Sequence, residues 1–146
     1  MKNITKINGF TLIEILAVVA LIAILAVVTI TAINPAKNFA DSRNFTRKSD
    51  VRSILNAVTQ YTSDQGNNLS DFGTINICPE TSNIGTAAGN VDIADLLVDE
   101  FLVAVPEDPG TGTSEETGYT ICQTLGARVQ IDAPSAENGL IISVNQ

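Results

Sequence analysis

From Leu12 to Ile33 the chain runs for 22 residues with a single charge, Glu14. At the helical rise such a stretch is roughly 33 Å long. The hydrocarbon core of a bilayer is about 30 Å thick. The segment can therefore span a membrane as a helix, which pairs its own backbone groups where no water is available. Its last five residues, TITAI at 29–33, are β-branched at four positions and are weaker helix formers in water. Asn34-Pro35 follows. Proline removes one helical hydrogen bond and disfavours helix at the residue before it, which predicts a kink or a locally melted turn here.

The helical period resumes over Asp41–Ser63. Val51, Ile54, Leu55, Val58 and Tyr61 are spaced 3, 1, 3 and 3, the stripe of a helix with one buried face. Arg43, Arg47, Lys48, Asp50 and Arg52 fill the N-terminal part of this section. The two segments together predict one long rod, broken or bent near Pro35. It should stop around DQGNN (64–68), where Gly66 supplies a breaker.

Beyond that point the period changes. TINIC (74–78) reads as a short strand, 79–90 as a loop, and Val91 to about Val103 as a helix capped by Asn90, with Ile93, Leu96, Leu97 and Phe101 on its apolar face. The stretch 106–118 is dense in Pro, Gly, Thr and acids. Strand-like runs follow at 119–125, 127–133 and 139–146, with Gly126 at a tight hairpin turn between the first two. The pattern predicts an α+β fold: a long N-terminal helix, half membrane-spanning and half amphipathic, packed on a small antiparallel β-sheet. Roughly 110 residues outside the apolar span suffice for a modest core.

Charge divides the chain. Residues 1–52 hold seven of the eight Lys and Arg and only three acids. Residues 53–146 hold thirteen acids against one base, Arg128, a net charge of −12. Such a surface repels phosphate backbones, so no direct nucleic-acid binding is expected of this part. Glu107, Asp108, Glu115 and Glu116 crowd one loop. Oxygen-rich loops suit Ca²⁺, but no D-x-D-x-D-G spacing is present, and a solvated acidic loop with no metal or other cofactor is the expectation. The chain has no histidine. No nucleophile–base pair suggests itself, and no enzyme is expected. Cys78 and Cys122 both follow the apolar span. In a small exported domain two thiols point to a disulfide, which on the chain-entropy model contributes roughly 3–4 kcal/mol. Two buried thiols packing as small apolar groups are the alternative.

The residues K-I-N-G-F-T-L-I-E, Lys6 to Glu14, lead directly into the apolar span. This stretch resembles the class III signal of type IV pilins and of the pseudopilins of type II secretion: a short basic leader ending in Gly, then Phe-Thr-Leu-Ile-Glu. VPEDPG (105–110) followed by GYTI (118–121) also resembles a recurring pattern of pilin domains. The resemblance implies the pilin fold and four regions. Residues 1–9 would be the leader peptide and 10–33 the transmembrane and filament-core helix. Residues 34–65 would be the amphipathic half of that helix and 66–146 the globular head. Lys2 and Lys6 place the leader on the cytoplasmic side. A prepilin peptidase would cut after Gly9 and N-methylate Phe10. The span lacks the early proline of many major pilins and has Thr29 and Thr31 instead. Cys122 also lies farther from the C-terminus than is usual.

Glu14 then acquires a physical role. A carboxylate at the bilayer centre is unfavourable by roughly 2.5–3.5 kcal/mol, less near the interface. The amine freed at Phe10 of a neighbouring copy could neutralise it and set an axial stagger. The implied product is a helical homopolymer, made by pilus or secretion assembly machinery from copies held in the cytoplasmic membrane. Its rivals are a type II secretion pseudopilin and a membrane-anchored binding domain that never polymerises.

Overall fold

The computed structural model describes residues 9–146, so the leader positions 1–8, Lys2 and Lys6 among them, lie outside the described residues. The chain divides into two compact units, the first ending at Asn38 and the second spanning Phe39–Gln146.

The first unit contains α1 (Leu12–Ile33) and the start of α2 (Pro35–Ser63). One residue separates the helices. Asn34 takes a left-handed conformation, φ 46° and ψ 74°, which asparagine tolerates better than most side chains. Pro35 then opens α2, at the first helical position, where its missing N–H is no loss. The expected kink is thus a full break, with Asn34 Oδ1 accepting the Lys37 N–H at 3.4 Å.

In the second unit α2 buries Val51, Ile54, Leu55, Val58 and Tyr61, the stripe expected from the sequence. It packs against a four-stranded antiparallel sheet in the order β1 (Ser82–Asn83), β2 (Thr120–Gln123), β3 (Val129–Asp132), β4 (Ser143–Asn145). Ile121 pairs with Ile131 across β2 and β3. Both are fully buried and join Ile84, Ile93, Leu97 and Tyr119 in one core with the helix stripe. The architecture is α+β and is consistent with the pilin fold.

Three elements differ from expectation. TINIC forms no strand: Ile77 makes only an isolated bridge to Gln123, and Pro79, lacking an N–H, cannot extend the pairing. The short strand β1 lies instead at the polar pair Ser82–Asn83, inside the expected loop. The expected helix from Val91 to about Val103 shrinks to α3 (Ala94–Leu97). Val98 is extended and Asp99 left-handed at φ 73°, so the chain turns and returns Phe101 and Leu102 N–H groups to the Leu97 carbonyl. The apolar spacing of Ile93, Leu97 and Phe101 serves this turn rather than a longer helix.

The β2–β3 hairpin falls where Gly126 predicts it, but the left-handed residue is Ala127, at φ 59°. A Cβ in that conformation is unfavourable by about 1–2 kcal/mol, partly balanced by the greater chain entropy of glycine. Ala127 is exposed. Ala127→Gly should therefore raise unfolding stability by about 0.5–1 kcal/mol, read as a higher denaturant midpoint at unchanged slope. A lower midpoint would refute the conformational assignment.

Candidate processing and assembly site

The start of α1 is fixed by its own sequence. Thr11 is the N-cap, and its hydroxyl accepts the Glu14 N–H at 3.3 Å while the Glu14 carboxylate accepts the Thr11 N–H at 3.4 Å. This reciprocal capping box satisfies two of the donors a helix start leaves open. The T-x-x-E spacing that signals it is readable in T-L-I-E (11–14), so Glu14 has a role within its own helix start besides the intermolecular one expected above. One carboxylate oxygen is used within the chain; the other has no partner among the described residues.

Gly9 and Phe10 precede the cap in exposed chain outside any regular element, Phe10 being 79% exposed. A Cβ built on Gly9 would meet nothing within 4 Å. No contact among the described residues therefore requires glycine there. Behind the cap none of the 22 residues of α1 is buried. The hydroxyls of Thr29 and Thr31 bond back to the carbonyls of Leu25 and Val28 at 2.8 and 3.0 Å. Their polarity is thus satisfied within the helix, and the whole surface of α1 can face lipid or other helices.

Cys78 and Cys122, in the second unit, form a disulfide with Cα atoms 5.3 Å apart. The bridge ties the 76–78 segment to β2, alongside the Cys78 N–H bond to the Gln123 carbonyl at 2.9 Å. These cysteines and the Gly9–Glu14 group belong to different units.

The acidic loop departs from expectation at Asp108 alone, since Glu107, Glu115 and Glu116 are exposed. Asp108 is not solvated but 4% exposed. Arg47 of α2, itself 2% exposed, grips it with a two-pronged bond, Nε to Oδ2 at 2.5 Å and Nη2 to Oδ1 at 3.1 Å. The backbone N–H groups of Gly110 and Thr111 bond the same carboxylate. Arg47 Nη1 reaches Glu137 at 2.8 Å, and Arg43 holds Glu137 at 2.6 Å. Asn44 completes the cluster, donating to the Glu137 carbonyl and accepting its N–H, each at 2.9 Å. Beside it the buried Tyr119 hydroxyl donates to Asp50 at 2.6 Å. The loop wraps closely enough that a Cβ at Gly112 would lie 2.2 Å from the Asp108 backbone nitrogen. Arg43, Arg47 and Asp50 are thus inward-facing anchors for two distant loops. The sequence signal was faint: a polar stretch with Asn44, Arg47 and Val51 at helical spacing on the side that becomes buried. Among the described residues no group of three or more His, Cys, Asp or Glu is placed to hold a metal.

The cluster sets an acid sensitivity. Bonds from Arg43 and then Arg47 hold the Glu137 carboxyl down at about 2. Burial pushes the Asp108 carboxyl up, but the bonds from Arg47, Gly110 and Thr111 outweigh it and leave it below its ordinary value. Both groups bind protons less readily folded than unfolded, so their stabilisation is complete above the ordinary carboxylate range, about 4, and is lost as pH falls towards 2. Asp50 runs the other way: burial raises it, with the Tyr119 bond opposing. It offsets the loss only just above the ordinary range. The melting temperature should be nearly flat from neutrality to about pH 4.5 and fall steeply below it. Glu137→Gln should flatten that fall, and an unchanged acid limb in this variant would exclude the assignment.

No curated protein and no solved structure matches the chain. Residues 4–30 match the prokaryotic N-terminal methylation motif, a span that takes in Gly9, the Thr11–Glu14 cap and most of α1. An exposed glycine, a self-capped helix start and an apolar helix with no buried residue fall within that match, which supports a class III signal of the type IV pilin-like and pseudopilin kind.

Proposed function

We propose that this chain is the precursor of a structural subunit of a type IV pilus or pilin-like filament. A prepilin peptidase cuts after Gly9 and methylates the new N-terminus at Phe10, leaving 137 residues. Before assembly α1 anchors the chain in the cytoplasmic membrane with the remainder outside the cytoplasm. Afterwards α1 packs against its counterparts in a surface filament. The free oxygen of Glu14 pairs with the Phe10 amine of an adjacent copy. Attraction between a half-buried charge and a partner on another chain favours the assembly over isolated copies.

The observation that carries this reading is α1 itself: a 22-residue helix, polar only at Glu14, Thr29 and Thr31, with no residue buried among the described residues and most of its length inside the matched motif. Intact-mass measurement on protein purified from its own membrane tests it. Loss of residues 1–9 with gain of one methyl group is the expected result. An unprocessed N-terminus would overturn it.

A further inference from the structure

Two surfaces of the second unit are used neither by the core nor by the ion cluster. One is the outer face of α2. Phe45, Lys48, Ser49, Arg52, Ser53 and Asn56 recur at helical spacing and line a single groove, with Phe45 76% exposed. Lys48 and Arg52 enter no ion pair among the described residues. The other is a cavity of about 210 Å³ walled by segments from 84 to 117. Its wall is mostly apolar, with Ile84, Ile93, Val98 and Val105 facing it beside the exposed carboxylates of Asp92 and Glu107. Asp92 spends one oxygen on the Ala94 N–H; Glu107 has no ion-pair partner among the described residues. The two surfaces share no residue, and α2 contributes nothing to the cavity.

The match in chemistry is one aromatic ring with two cations against one apolar hole with two carboxylates. Small-molecule sites usually exceed about 300 Å³; this cavity is nearer the size of one large side chain. Copies carrying thirteen acids against one base beyond residue 52 repel one another, so any close packing needs cations at the contact. We propose that the Phe45–Lys48–Arg52 face of one copy docks into the cavity of a second copy, the ring entering it and the two cations meeting Asp92 and Glu107. Because two different patches meet, the contact is head-to-tail and can repeat from copy to copy, as the open helical assembly of the filament reading requires. The inference rests on the filament reading and specifies its outer contact.

Photo-cross-linking in membranes of cells carrying the full chain tests it. The probe p-benzoylphenylalanine replaces Phe45 in one variant and Leu16 of α1 in another. Irradiation of the first should give a dimer whose cross-linked peptide comes from residues 84–117 of the second copy. Asp92→Lys with Glu107→Lys should reduce that dimer about tenfold, since like charges then face each other. Adding Lys48→Glu with Arg52→Glu should restore most of it. A dimer from position 45 that maps elsewhere overturns the docking. So does a dimer from position 16 with none from position 45, although the filament reading then survives. No dimer from either position overturns both.

Discussion

Arg47→Ala destabilises the second unit by about 3–5 kcal/mol, because it leaves the Asp108 carboxylate buried without a counter-ion. Asp108 is 4% exposed and retains only the Gly110 and Thr111 N–H groups in that variant. The loss should appear as a large drop in denaturant midpoint for the full chain in detergent, followed by circular dichroism. The double variant Arg47→Met with Asp108→Leu should recover most of the stability, since replacing a buried pair with apolar groups of similar volume is often neutral. The Asn44–Glu137 bonds remain available in that double variant to hold the second loop. A single-variant loss below about 1 kcal/mol would mean that the pair behaves as a surface contact instead.

Glu14→Gln should leave the protein processed and inserted yet reduce filament yield at least tenfold. Glutamine keeps an acceptor for the Thr11 N–H and so preserves the helix start, but it has no charge to offer a neighbouring amine. Glu14→Ala removes both roles and is the less informative change. Thr11→Val is the complementary variant: it removes the hydroxyl cap, at about 1 kcal/mol, and keeps the charge. Filament counts by electron microscopy for the two variants separate the roles. Normal fibres from Glu14→Gln with few from Thr11→Val would assign the acid to capping and end the pairing argument.

The parts legible in the sequence are those whose signal is local and repeated. The apolar span, the Val51–Tyr61 stripe and the strands around Ile121 and Ile131 all follow from period alone. The class III signal was legible because residue identity, position and span length coincide. What escaped was set by distant partners. Asp108 looks like any acid of a Pro- and Gly-rich loop until Arg47, 61 positions away, is brought against it. Ser82–Asn83 carries no strand pattern because its pairing comes from the edge of β2. The apolar spacing from Ile93 to Phe101 fits a helix and a tight turn equally, and only the left-handed Asp99 decides between them. At the N-terminus the capping box was in plain view, yet the motif suggested a contact between molecules and hid the contact within one.

An α1 with no buried residue has no favourable place in water. In the filament proposed above, each copy would keep this rod either in lipid or against like rods, and passage between the two through aqueous solvent would be closed by the hydrophobic effect. A fibre built on it would therefore grow and shrink only at the end rooted in the bilayer, and a fragment sheared from the cell would persist without shedding its members.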